Sequence, residues 1–376
     1  MRFLNNNGEA ISGGQGFILS RDIKDICLET TTTANVTISI TCQPGGKSFS
    51  FICTPVNNIV PIRLKDIFDN IVSAAELPYA QTWQQAFTVA VSAASLEGQA
   101  SLYYVTIRGS NGGVSAAPGD ILSARPQISK VYDWTKEYVA IVLSSTAEKP
   151  LTEVYFRIYP QGLPALDSSI ASSSALSPNF IFVIDCSYGA VRAIMDNFGY
   201  ADAGIAAYDL IIRTTLSDNS TTERRMRFHV MKRDSRVREF CFLNQHGTYD
   251  TIAANGATAR RLEGELITAV NYGTEYEVHN SHVEKFETSS GYLSTERQVK
   301  YWATFLQSTH RYILSAPDSH GARNWEKIIV DEVTESTNEL GKIGLFKFVW
   351  HYAEPHTGEC RTDIGDLEEY QYEKPE

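Results

Sequence analysis

Long apolar runs are missing from this chain of 376 residues. None approaches the roughly 20 residues needed to span a bilayer. The opening Met1-Arg2-Phe3-Leu4-Asn5-Asn6-Asn7-Gly8 has no apolar core of the secretory kind. The expectation is a soluble protein made in a cytoplasm, without membrane insertion. Asn35-Val36-Thr37 and Asn219-Ser220-Thr221 match the glycosylation sequon, but without an export signal they read as chance matches. Paired cysteines are missing too. Cys27, Cys42, Cys53, Cys186, Cys241 and Cys360 stand singly, which argues against a zinc site built on CxxC thiolates. Cys42, Cys53, Cys186 and Cys241 alternate with apolar residues in strand-like runs. There a free thiol acts as a small hydrophobe, which fits a reducing compartment.

Long basic runs are also absent. The net charge is −11 and the pI about 5.3. The densest basic cluster, Arg224-Arg225-x-Arg227, falls in an expected hairpin. Reading a phosphate backbone requires a basic patch, so no nucleic-acid partner is expected.

Reaction chemistry leaves little trace. No histidine sits beside a Gly-rich turn carrying Ser or Cys, and the nucleophile-elbow pattern is absent. Ser12-Gly13-Gly14-Gln15-Gly16 lacks the Lys-Ser/Thr and the helix of a phosphate cradle. His279, His282 and Glu284 form the best metal candidate, but positions three apart on a strand face opposite sides. Two glycosidase carboxylates can come from distant positions. Asp331, Glu332 and Glu335 lie close in sequence but read as a solvated edge that blocks stray sheet pairing. No catalytic residue, metal ligand or cofactor is therefore assigned. Trp302 and Trp350 read as core. Trp134, just before a strand, is the one candidate for ligand stacking.

What is present is β-pattern. Tyr (19) and Phe (17) are plentiful, and both suit pleated, half-buried surfaces. Residues 1–16, rich in Asn and Gly, are expected to form an extended arm, frayed or docked on a neighbouring subunit. Residues 17–122 read as a β-sandwich. Val36, Ile38, Ile40 and Cys42 alternate, a Pro-Gly-Gly turn follows, and Phe49, Phe51 and Cys53 alternate again. Leu64, Ile67, Phe68, Ile71 and Val72 mark one short helix. Residues 126–233 read as a second sandwich, with a hairpin turn at Ser217-Asp218-Asn219-Ser220. A turn is expected at Ala147–Pro150 and a long loop over Pro160–Pro178. Ala190–Ala203 fits a helix or a loop.

Residues 236–353 read as a β-rich domain with one amphipathic helix at 295–308. Thr295 and Gln298 resemble a capping box, and Val299, Trp302, Phe305 and Leu306 form the apolar stripe. An acidic tail, 354–376, follows. The fold class is thus mainly β, with tandem β-sandwich domains before a β-rich C-terminal domain.

The stretch that opens this last domain organises it. Glu239–Phe242 alternates like a strand, with Glu239 and Cys241 on one face and Phe240 and Phe242 on the other. Leu243-Asn244-Gln245-His246-Gly247 breaks it with residues that tolerate positive φ. Thr248–Ile252 resumes a strand. His246 reads as a polar corner residue bonded locally, or as a pH-sensitive contact.

Phe242-Leu243-Asn244, Gly247, Tyr249, Asp250 and Thr251 resemble the corner of a family of structural proteins from tailed phages and prophages of Bacteroidetes. The similarity continues through Leu293-Ser294-Thr295, Tyr312, Leu314, Trp325, Ile328-Ile329, Phe346, Phe348, Tyr352 and Ala353. His246 and Ala253-Ala254-Asn255-Gly256 depart from the pattern. The resemblance implies a non-enzymatic tail-tip or baseplate component of a virion, assembled in the bacterial cytoplasm. It would form a homo-oligomeric ring and meet other tail proteins. The alternative is a carbohydrate-binding or adhesin-like module with a glycan contact.

Overall fold

The computed structural model describes residues 1–72, 83–85, 87–96, 98–112, 117–143, 151–172, 180–232, 236–271, 274–315, 324–337 and 343–353. The fold is mainly β, 55% strand against 11% helix, as the aromatic and alternating pattern led us to expect. The chain divides into two compact units. One is Met1–Lys232 with Asn244–Asp250, and the other is Arg233–Leu243 with Thr251–Glu376.

The first unit contains two sandwich-like pairs of sheets. In the first pair, β1 (Arg2–Leu4), β2 (Ala10–Ile11), β4 (Ile26–Glu29) and β7 (Ile59–Ile62) form a sheet in the order β2-β1-β4-β7. Facing it are β3 (Gly13–Phe17), β5 (Val36–Gln43), β6 (Lys47–Cys53), β9 (Phe87–Ser95) and β10 (Gly98–Thr106), in the order β3-β10-β9-β5-β6. Val36, Ile38, Ile40 and Cys42 point inward and share a core with Phe3, Leu28, Val60 and Ile62. Helix α1 (Leu64–Ile71) adds Leu64, Phe68 and Ile71. Each such side chain contributes roughly 1.5–3 kcal/mol on burial.

Residues 1–16 are not a free arm. Strand β1 pairs antiparallel with β4 through Phe3 and Leu28, and β3 runs parallel to β10. Burying Phe3 to 1% exposure and pairing the backbone outweigh the tendency of a polar terminus to fray.

The second pair sets β11 (Ile128–Val131), β13 (Leu151–Pro160), β14 (Leu166–Ser172), β16 (Ile205–Thr215) and β17 (Thr221–Val230), ordered β11-β17-β16-β13-β14, against a smaller sheet. The smaller sheet is β12 (Tyr138–Leu143), β15 (Phe180–Asp185) and β8 (Trp83–Gln85), ordered β12-β15-β8. Strand β8 precedes the first pair's last two strands in sequence, yet it pairs here. Val154, Phe156, Ile158, Tyr208, Leu210 and Phe228 meet Val139, Ile141 and Ile184.

Helix α2 (Tyr188–Asn197) settles the helix-or-loop alternative in favour of a helix, burying Val191 and Met195. The expected long loop after Pro160 is interrupted by β14, which pairs with β13. A Ser/Ala-rich run can pair wherever a neighbouring strand offers an edge. The hairpin turn is as expected, with Asn219 at φ 68°. The turn at 147–150 lies outside the described residues.

The second unit is built on a seven-stranded sheet. Its strands are β18 (Arg238–Leu243), β19 (Tyr249–Ala254), β20 (Thr258–Asn271), β21 (Thr274–Ser289), β22 (Arg311–Leu314), β23 (Trp325–Thr337) and β24 (Ile343–Tyr352). Their order is β19-β18-β22-β23-β24-β21-β20. Strand β18 forms where the sequence alternates, but its burial does not alternate. Glu239, Phe240, Cys241 and Phe242 are all buried, because both faces of the strand are covered.

Helix α3 (Glu296–Gln307) matches the expected helix. The Thr295 hydroxyl accepts from the Gln298 backbone at 3.2 Å, while the Gln298 side chain accepts from Ser294 rather than from Thr295. Phe305 packs on Phe240 at 5.4 Å, Trp302 at 5.5 Å and Phe348 at 5.6 Å. Asp331, Glu332 and Glu335 are exposed, as expected, but they do not lie on an edge strand. Strand β23 lies between β22 and β24, and Asp331 sits at a register break, 3.4 Å from Lys285 and 3.1 Å from His351. The acidic tail, 354–376, lies outside the described residues.

Phe305→Ala is expected to cost about 3–5 kcal/mol, and Thr295→Ala about 1 kcal/mol, in urea unfolding of the full chain. Equal costs would contradict an aromatic core centred on Phe305.

Candidate functional site

The corner Asn244–Asp250 belongs to the first unit, and its polar side chains are consumed by local structure. Asn244 is 4% exposed. Its carboxamide oxygen accepts from the backbone nitrogens of His246 at 2.8 Å and Thr248 at 3.3 Å. Its nitrogen donates to the Leu122 carbonyl at 3.0 Å, the Thr248 hydroxyl at 3.1 Å and the Asp250 carboxylate at 2.9 Å. One side chain thus closes the turn and ties it to the chain at Leu122. The Thr248 hydroxyl also donates to the Leu122 carbonyl.

Asp250 is fully buried. It accepts from the Ser123 hydroxyl at 2.6 Å and the Ala124 backbone at 2.8 Å. A buried carboxylate is tolerable when hydrogen bonds replace its lost water.

Gly247 has φ 81° and approaches the Arg108 carbonyl so closely that a Cβ would stand 1.6 Å from that oxygen. Gly109 approaches from the other side. A Cβ there would lie 2.4 Å from the His246 carbonyl group. The Ser110 backbone donates to the Gln245 carbonyl at 2.8 Å. The corner is therefore clamped to Arg108–Ser110 and Leu122–Ala124, which lie between the two sandwiches in sequence.

His246 is 8% exposed, and its Nδ1 has no hydrogen-bond partner. Burial is the largest influence on its pKa. It pushes the pKa below the ordinary 6.5 even though Asp250, Asp22 and Asp120 pull the other way. Phe242 serves the second unit's aromatic core, 5.5 Å from Tyr301 and 5.6 Å from Phe305. Leu243 closes its end of that sheet, its carbonyl accepting from the Ser308 hydroxyl at 2.9 Å. Tyr249 is 5% exposed.

Sequence reasoning missed a second constellation, on the outer face of the second sandwich. Asp209, fully buried, receives Arg227 through two bonds of 2.7 and 2.8 Å and the Tyr159 hydroxyl at 2.9 Å. Arg225 stands 3.6 Å away. Burial is the largest influence on Asp209 and opposes its charge, but these partners outweigh it and hold the pKa below the usual range. Arg227 stacks over the Tyr159 ring at 5.1 Å, and Arg213 over Tyr155 at 5.3 Å. The readable signal was the period-two run Tyr155, Arg157, Tyr159 opposite Arg225 and Arg227.

Beside this face lies a groove of about 590 Å³, lined by Ile121, Ser123, Arg125, Gln127, Ile128 and residues 223–227. Strand β11 pairs only with Arg227–Val230 of β17. Thr221–Met226 therefore has no strand partner on that side among the described residues.

Trp134, the stacking candidate, is half-buried with its ring stacked on Tyr132 at 6.3 Å. The side chains of His279 and His282 lie outside those described. Among the described residues, no three His, Cys, Asp or Glu are grouped to hold a metal ion, and no helix is long and apolar enough to cross a membrane. No protein-family model matches the chain, and no curated protein matches it.

Asn244→Ala is expected to cost at least about 2 kcal/mol, with Gln245→Ala within about 0.5 kcal/mol. Gly247→Ala is expected to abolish soluble folded protein. His246 binds a proton more weakly folded than unfolded, so stability is retained above pH 6.5 and falls as pH drops below it. His246→Asn should flatten that decline between pH 7 and pH 5 in urea midpoints. A wild-type midpoint unchanged across this window would show that burial does not suppress the proton.

Proposed function

We propose that the chain is a non-enzymatic structural subunit of a phage tail, at the tail tip, baseplate or distal tail. It assembles with copies of itself and with neighbouring tail proteins in the virion. Residues 236–353 support this through their resemblance to tailed-phage structural proteins. The geometry adds one observation that carries the assembly part. Strand β21 pairs with β24 only over Phe286–Ser289, whereas β20 and β21 pair with each other from Thr258↔Thr288 to Asn271↔Thr274. Most of this hairpin is thus a two-stranded ribbon with no third strand among the described residues.

At about 3.3 Å per residue the unaccompanied part extends roughly 40 Å. A two-stranded ribbon is marginal in water, because neither face is buried. Leu262 is 64% and Val283 42% exposed on it. Cross-strand pairs such as Arg260–Glu284 and Lys285–Glu263 brace it, and surface pairs of that kind contribute little each. Contact with a neighbouring subunit supplies the missing cover. The corner agrees, since Asn244, Gly247 and Asp250 serve structure rather than a reaction. No observation favours the carbohydrate-binding reading, for which Trp134 is the only residue singled out.

The full chain is expected to form a closed oligomer by light scattering and a ring in electron micrographs. Leu262→Lys with Val283→Lys should shift it to monomer without changing its circular dichroism. A wild-type monomer that binds glycans on an array would overturn the proposal.

A further inference from the structure

We infer that the groove beside β17 is the docking site for an acidic, extended peptide segment, and that its occupant is the stretch 354–376 of a neighbouring copy of this chain. The inference rests on the assembly reading and names one of its contacts. Three features of the groove carry it.

The first is an open strand edge. Thr221–Met226 of β17 lacks a strand partner on its outer side among the described residues, while Arg227 beyond it donates its backbone N–H to Gln127 at 2.7 Å. An extended segment laid along that edge continues the sheet with main-chain bonds.

The second is charge. Arg225 and Arg227 share the single carboxylate of Asp209, and Arg227 takes both of its oxygens, leaving Arg225 at 3.6 Å. The other lining charges are matched. Arg125 pairs with Glu137, Arg224 with Asp120, and Glu223 with Arg213. Arg225 is thus the lining arginine with no carboxylate at hydrogen-bond distance among the described residues. Arg224 and Arg225 are 51% and 45% exposed on opposite faces of the strand, and Arg225 is the head placed to take a further carboxylate.

The third is an apolar wall. Ile128 is 61% exposed at the groove's rim. Apolar wall, strand edge and paired arginines together suit a peptide that alternates acid with aliphatic or aromatic residues.

The chain carries such a segment. Residues 354–376 hold eight acidic residues against Arg361 and Lys374, and interleave Ile364, Leu367, Tyr370 and Tyr372 with Asp366, Glu368, Glu369 and Glu373. Extended, 23 residues reach roughly 75 Å, enough to cross to an adjacent subunit. A weak, salt-sensitive contact of this type suits subunits that must find register before locking.

The test uses the full chain and its own cysteine. Ile128→Cys places a thiol on the groove, and Cys360 lies in the acidic segment. Under mild oxidation we expect a disulfide-linked ladder on a non-reducing gel, with peptide mapping joining residues 128 and 360. The ladder should disappear with Cys360→Ser. It should fall at least fivefold with Arg225→Glu, with Glu368→Gln plus Glu369→Gln, or in 1 M salt. The tail substitutions leave the groove intact, so they separate lost docking from lost folding.

An oligomer by light scattering with no 128–360 link would overturn the docking and leave the assembly reading standing. So would a link indifferent to charge, or one confined to a monomer. A chain that is monomeric by light scattering and forms no link would overturn both.

Discussion

One carboxamide does much to hold the corner of this protein. Asn244 uses its oxygen to satisfy two backbone N–H groups of its own turn and its nitrogen to reach the Leu122 carbonyl, the Thr248 hydroxyl and the Asp250 carboxylate. Buried at 4% exposure, it has little water to fall back on, so losing any of these bonds leaves a polar group stranded. Asp250 depends on the same network, and its remaining bonds go to Ser123 and Ala124. Gly247 completes the constraint by sterics, since only a residue without a Cβ can stand against the Arg108 carbonyl at that φ.

This constraint explains why a short motif of Asn, Gly, aromatic and Asp can be informative without carrying chemistry. Each residue type answers a backbone requirement. The corner residues clamp Arg108–Ser110 and Leu122–Ala124, which lie between the two sandwiches in sequence. The sandwiches themselves rest on ordinary burial. Val36, Ile38 and Ile40 in one, and Val154, Phe156 and Ile158 in the other, are fully or almost fully removed from water.

Where burial stops, the structure becomes suggestive. The β20–β21 ribbon runs on past its four-residue pairing with β24, and β17 shows half an edge beside a row of arginines. Both are places where backbone or apolar groups are left for something else to cover. The outer face near Asp209 differs in kind. It places a fully buried carboxylate under one tyrosine, Tyr159, and two arginines, Arg225 and Arg227, an arrangement that rigidifies the sheet next to the groove.

Side-chain alternation and turn residues determined, from sequence alone, the mainly β class, the hairpin of Ala34–Cys42 with Ser48–Cys53, the hairpin around Ser217–Ser220, and the capped helix behind Thr295. These are local properties, set by a period of two or by hydrogen bonds within four residues. The corner's key residues were equally legible, because Asn and Gly at that spacing answer a turn. Their partners were not. Nothing in the order of residues says that Leu122, Ser123 and Arg108 will meet positions more than 120 further along. The same holds for Phe3 closing a sheet that a polar terminus seemed too weak to join, for β18 buried on both faces, for Trp83–Gln85 pairing with Phe180–Phe182, and for the arginine groove. Each depends on which distant strands become neighbours, and only the tertiary structure decides that, because long-range pairing is set by the sum of buried area and satisfied backbone rather than by any local pattern.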